Sequence, residues 1–207
     1  DGSMGDRRYG EGEKKEKEMR GDPKIEKAEE KDLDAAADLY FRVTKKLEEN
    51  INYPAWRSDL YPVRQTAVEA LDDGGLYVLR EGERIAASMI LKTESEPEFE
   101  GVVWQIPAED SEMYLLCTLA VDPAYEGRGL GRAMVQFAVD LAVREGKKAI
   151  RLDVTQINEP AIRLYKSFGF QYVGTVDSGE AYEADFGKRY FDLYEKVLEK
   201  VPPEKKE

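Results

Sequence analysis

Residues 121–132 read Val-Asp-Pro-Ala-Tyr-Glu-Gly-Arg-Gly-Leu-Gly-Arg, joining an apolar run to an amphipathic one through glycines at 127, 129 and 131. Upstream, residues 114–121 (Tyr-Leu-Leu-Cys-Thr-Leu-Ala-Val) carry no charge, as a buried strand requires, and Pro123 closes the extended run. Downstream, Leu130, Ala133, Met134, Phe137, Ala138 and Leu141 recur at steps of three and four, which predicts a helix with one apolar face that stops at Gly146. Alternate glycines let the backbone turn its N–H groups toward a ligand, and the unpaired amides of a first helical turn add partial positive charge. The turn is therefore a candidate seat for a phosphate or pyrophosphate, or else an ordinary glycine-rich connection. Spacing excludes two other phosphate loops. Arg132 stands where the third glycine of the dinucleotide fingerprint would fall, and Gly-Lys-Ser/Thr occurs nowhere in the chain.

A second segment follows. Residues 149–154 alternate Ile150, Leu152 and Val154 with Arg151 and Asp153, a strand pattern. Asn158 is a good N-cap and Pro160 suits a first turn. Ala161, Leu164, Tyr165 and Phe168 share one helical face before Gly169, and Phe170, Tyr172 and Val173 start another strand. Residues 158–170 read Asn-Glu-Pro-Ala-Ile-Arg-Leu-Tyr-Lys-Ser-Phe-Gly-Phe. Together with the glycine turn, at this separation, they resemble the GNAT family of acetyl-coenzyme A-dependent N-acetyltransferases. Family members carry Gln/Arg-x-x-Gly-x-Gly/Ala after their fourth strand and Asn-x-x-Ala-x-x-Leu-Tyr-x-x-x-Gly-Phe after their fifth.

The resemblance implies that the fourth and fifth strands splay to hold the pantetheine arm against the backbone of Leu119, Ala120 and Val121. It implies a pyrophosphate seat made by Glu126, Gly127, Arg128, Gly129, Leu130, Gly131 and Arg132, with Asn158 holding a pantetheine amide. Tyr165 would protonate the departing thiolate, after direct attack by an amine in a ternary complex. One residue departs from the pattern: Glu126 replaces the expected Gln or Arg, so backbone amides with Arg128 or Arg132 must carry the anion, and weakened affinity is expected. The implied acceptor is a primary amine of a small molecule or peptide. Two alternatives are a non-catalytic acyl-coenzyme A-binding module and an acyltransferase using a longer acyl donor.

Working outward, residues 25–29 form a candidate first strand and residues 33–47 an amphipathic helix. Residues 63–71 form a second helix, and residues 76–80 and 84–91 a hairpin. The last strand, with Tyr190, Phe191 and Tyr194, ends near Val197. The expected fold is α/β (α+β), with a mixed, mostly antiparallel central sheet flanked by helices on both faces, and acceptor-setting loops at residues 50–60 and 177–188. Tyr53 and Trp56 are either core or acceptor wall. Residues 1–22 read as a charged segment with a tag remnant at Gly2-Ser3-Met4, residues 23–201 as one domain, and residues 202–207 as a charged tail.

The 207 residues carry a net charge of −12, concentrated in residues 94–112 and 177–185, which contain no Lys or Arg. That argues against nucleic acid and suits a cationic acceptor, or simply a solvated acidic surface. With no histidine and one cysteine, neither a metal centre nor an internal disulfide is expected; no apolar run is long enough for a membrane span, and a cytoplasmic location is expected. Cys117 reads as a small buried hydrophobe rather than a nucleophile. Lacking histidine, deprotonation of the acceptor must fall to a carboxylate or to water, and Glu112, just ahead of the central strand, is the candidate base. The aromatic last strand can support a homodimer.

Overall fold

Strand β4 (Met113–Val121) divides the molecule, because one of its two neighbours runs parallel to it and stays paired only along its first residues. The computed structural model describes residues 24–198; the expected N-terminal segment, the charged tail and the outermost ends of the expected domain lie outside them. The chain runs β1 (Lys24–Lys27), α1 (Leu33–Glu48), α2 (Arg64–Asp72), β2 (Leu76–Glu81), β3 (Arg84–Lys92), β4, α3 (Leu130–Arg144), β5 (Ala149–Thr155), α4 (Glu159–Ser167), β6 (Gln171–Asp177), α5 (Gly179–Phe186) and β7 (Tyr190–Val197). The seven strands form one sheet in the order β1-β2-β3-β4-β5-β7-β6. All pairings are antiparallel except β4 with β5. The expected mixed sheet is present.

Side-chain alternation sorts the core. Met89 and Leu91 of β3 pack with Met134, Ala138 and Leu141 of α3, whereas Ile90 packs on the other face with Leu39, Tyr40 and Val43 of α1 and Ala67 of α2. The half of the sheet holding β5, β7 and β6 is covered differently. On one of its faces Phe99, Trp104 and Ile106 of the connection between β3 and β4 lie over Met113, Leu115 and Leu193, joined by Tyr182 of α5. Helices thus cover both faces only in part, and an acidic loop supplies the rest. Residues 177–188, read as loop, contain α5: Gly179 and Gly187 bracket it in left-handed conformations at φ 85° and 69°, and Tyr182 and Phe186 stack one turn apart.

A buried ion pair pins that loop. Arg151 and Glu195 face each other across β5 and β7, with Arg151 Nε 3.0 Å from Glu195 Oε1 and Glu195 wholly buried. The remaining valences are filled from the loop: Gln105 N–H donates to Glu195 Oε2 at 2.7 Å, and Arg151 Nη2 donates to the Ile106 carbonyl at 3.1 Å. The guanidinium also lies 4.3 Å from the Trp104 ring centroid. Sequence alternation had placed Arg151 on a polar face; the loop turns that face into interior.

Removing one member leaves an uncompensated buried charge. Glu195→Leu is expected to lower unfolding free energy by about 3–5 kcal/mol in urea denaturation, with Arg151→Met/Glu195→Leu recovering most of the loss. Equal stability of wild type and the single variant would contradict this account.

Candidate active site

The parallel pairing of β4 with β5 covers only Met113 to Leu115 opposite Ala149 to Arg151; beyond it β4 has no partner on its β5 side. The cause is visible on the other edge. Against β3, Ser88 pairs with Ala120 and Ile90 with Cys117, so β4 carries one extra residue, a β-bulge at Thr118 and Leu119. Thr118 has φ 48°, a strained value for a β-branched residue. Its side chain is nearly buried and is held by a hydrogen bond between its Oγ1 and the Tyr61 hydroxyl. From Leu116 through the bulge β4 is unpaired on its β5 side, and a cleft of about 640 Å³ opens there, lined by Leu119, Val121, Asn158 and Tyr165.

The glycine turn closes one end of that cleft. Asp122, 1% exposed, ends β4 and accepts from Arg84 Nη2 at 2.6 Å, from Arg42 Nε at 3.0 Å and from the Ala124 amide at 3.0 Å. Burial alone would raise its pKa, but the Ala124 amide and the two guanidiniums outweigh it and hold the carboxyl below its usual range. Arg84 and Arg128 then flank the Tyr125 ring at 5.7 and 4.9 Å. Gly127 and Gly129 follow at φ 75° and 76°, with no atom within 4 Å of where a Cβ would stand. The turn thus stands open in front of a 15-residue helix, whose first amides lend it partial positive charge.

The expected site residues divide by position. Leu119, Val121, Glu126, Gly131, Asn158 and Tyr165 line the cleft. The Ala120 and Leu130 side chains belong to the two cores, so only their backbones are available. Arg128 reaches Glu81 at 3.4 Å, and Arg132 donates to Ser167 Oγ at 3.0 Å and lies over Phe168, tying α3 to α4 at the flank of the turn. Asn158 caps α4, its Oδ1 accepting from the Ala161 amide at 3.3 Å. Glu126 is exposed and faces the cleft.

Glu112 is not brought to the cleft. It precedes β4 at the end where β4 and β5 are still paired, and its carboxylate binds Lys148 at 2.6 Å and the Glu109 amide at 3.0 Å. Glu96, Glu98 and Glu126 also line the cleft, but the carboxylate there that acts on Tyr165 is Asp153 on β5. It is open to solvent through the cleft, yet the enclosing walls desolvate it, and Glu96 and Glu98 add repulsion, so its pKa is pushed up to about 6. Asp153 in turn acts on groups from separate elements. Tyr165, 7% exposed, has a phenol held above its usual range by burial, then by Asp153 and Cys117. Burial and Asp153 push the Cys117 thiol up to about 12, which keeps it protonated and non-nucleophilic. Strand alternation alone made Asp153 an ordinary polar position; a signal existed only in its place on the strand expected to splay.

The opposite end of the cleft is aromatic and acidic. Tyr53 and Trp56 both line it, with Trp56 clamped by Asn52 through bonds of 2.6 and 3.0 Å. Tyr182 and Phe186 of α5 complete the wall, and Arg57 Nη1 donates to the Asp185 carbonyl at 2.8 Å, joining the α1–α2 connection to α5. No group of three or more potential metal ligands is assembled among the described residues, and no helix among them is long and apolar enough to cross a membrane.

Comparison with known proteins agrees with this geometry. The profile of the acetyltransferase (GNAT) family matches residues 41–170. The N-alpha-acetyltransferase RimI of Mycobacterium tuberculosis is 46% identical over 61 residues, covering 30% of this chain and 37% of that protein. The chain thus spans well under two thirds of that relative. The crystal structure of the ribosomal-protein-S18-alanine N-acetyltransferase from Escherichia coli superposes with a TM-score of 0.61 at 21% identity, over 89% of this chain and 98% of that one. A Salmonella typhimurium protein solved with its cofactor acetyl-CoA gives 0.59 at 17% identity, over 88% and 98%. With a bulged, splayed β4, a glycine turn and a family profile spanning both, the chain belongs to the acetyltransferase (GNAT) family.

Proposed function

We propose that the protein transfers the acetyl group of acetyl-CoA to a primary amine, with Asp153 as general base and Tyr165 as general acid. The observation that carries this reading is that Asp153, which enters no described ion pair, and the buried phenol of Tyr165 line one cleft, beside a strand edge free to bind an extended chain. Backbone groups of β4 from Leu119 to Val121 would hold the pantetheine arm, while the 127–131 turn would receive the pyrophosphate.

The chemistry follows from where protons can go. As the amine nitrogen bonds to the thioester carbonyl carbon, its N–H groups become strongly acidic, and Asp153 accepts one of them. Collapse of the tetrahedral adduct breaks the carbon–sulfur bond, and Tyr165 gives its proton to the departing thiolate. The buried phenol stays protonated until charge develops on the sulfur beside it, and so is available as the donor. Backbone N–H groups of the bulged strand are the available donors to the oxyanion. A purely binding role would leave Asp153 desolvated with nothing to do.

Three measurements test this. Tyr165→Phe is expected to keep acetyl-CoA affinity while lowering turnover by about 10²-fold or more; wild-type turnover would return Tyr165 to core packing. A base must be deprotonated to act, so kcat/KM should rise with pH through a midpoint near 6 in the wild type. Asp153→Asn should lose that acidic limb along with most activity, and a retained limb would assign the base elsewhere. Glu126→Gln removes repulsion at the pyrophosphate seat and should tighten acetyl-CoA about threefold by isothermal titration; unchanged affinity would mean that the carboxylate points away.

A further inference from the structure

The acceptor half of the cleft holds more negative charge than acetyl transfer requires. Glu96 is matched by Lys92 at 2.8 Å, and Lys46 lines the same cleft from the exposed last turn of α1. Among the described ion pairs none includes Glu98 or Asp153, and both face the chamber. Tyr182 lies within reach of both: its phenol is pushed up to about 12 by burial, then by Asp153 and Glu98. The chamber also presents an unfilled valence, because the Tyr165 hydroxyl, on a side chain 7% exposed, has no hydrogen-bond partner among the described residues and borders the same space. The walls between these polar groups are rings, with Tyr182 and Phe186 stacked at 4.5 Å on one side and Tyr53 and Trp56 on another. Such a lining favours a methylene chain ending in a cation and repels a carboxylate.

We propose that the acceptor is a linear aliphatic di- or polyamine, its reacting nitrogen at Asp153 and Tyr165 and its distal ammonium between Glu98 and the rings of Tyr182 and Phe186. This rests on the transfer reading only for which nitrogen reacts. Carboxylate and aromatic faces together hold an ammonium that a neutral chain end cannot replace. Because Glu98 is exposed, the selectivity is screened by salt.

Equilibrium binding tests the inference without relying on turnover. Cadaverine and pentylamine, of equal chain length, are titrated into the protein saturated with coenzyme A at low salt. Cadaverine should bind about tenfold tighter, with an advantage that shrinks as salt rises. Glu98→Gln, on an exposed site and checked by its unfolding midpoint, should narrow the ratio to about twofold. Equal affinities in the wild type, or an unaltered ratio in the variant, overturn the proposal; so does tighter binding of a neutral tripeptide with an N-terminal alanine. Retained cadaverine preference with no thioester consumption for any amine upholds the proposal and refutes the transfer reading instead.

Discussion

The cleft exists because one strand cannot stay paired. A parallel neighbour would normally satisfy β4 along its full length, but the extra residue at Thr118 turns the chain and the two strands part after three residue pairs. The bulge holds a β-branched residue at positive φ, a conformation that persists only where its surroundings over-determine it. Here the Tyr61 hydroxyl supplies that constraint from the α1–α2 connection, which also brings Tyr53 and Trp56 to the cleft. Backbone strain, cleft and acceptor wall are therefore one arrangement, and the free edge of β4 is its product.

Two ion-pair hubs fix what surrounds that edge, and they differ in kind. Asp122 gathers Arg42 and Arg84 where β4 exits, setting the direction in which the glycine turn leaves the sheet. Arg151 with Glu195 lies beneath the acidic connection and holds it flat, so that Glu96, Glu98 and Phe99 reach the cleft. In both hubs the buried carboxylate accepts from more than one donor, Asp122 from Arg42, Arg84 and the Ala124 amide and Glu195 from Arg151 and the Gln105 amide, the condition under which a buried pair is tolerated. Within the chamber, neither Glu98 nor Asp153 enters a described ion pair. There burial first, and neighbouring negative charge second, raise Asp153, Tyr165 and Cys117.

Much of the fold was legible in the chain. Periodicity placed α1, α3 and α4 and the β2–β3 hairpin, and the two motifs placed the turn and the Asn158 cap, because each depends on contacts among near neighbours in sequence. The bulge was not legible. Thr118 looks like any strand residue, and its conformation is imposed by a tyrosine 57 positions away. Glu112 was chosen for lying close to the central strand, but being at the wrong end of a strand is a three-dimensional property. Asp153 was hidden by alternation, which marks Arg151 and Asp153 alike as polar although one lies under a loop and the other borders a cleft. The helix α5 escaped because it is short and lies in an acidic stretch, and only its Tyr182–Phe186 spacing hinted at it.

The cleft's two ends are built from different materials. One presents main chain and glycine, whose chemistry is nearly indifferent to side-chain identity, and is the proposed seat of the donor. The other presents side chains from three connections that share no strand pairing, the α1–α2 segment, the β3–β4 segment and α5, and is the proposed seat of the acceptor. Substitution in those connections can redraw acceptor choice without disturbing the sheet or the acyl donor. Lineages can thus diverge in substrate faster than in architecture, and within such a scaffold specificity becomes the most evolvable trait while the reaction itself is inherited unchanged.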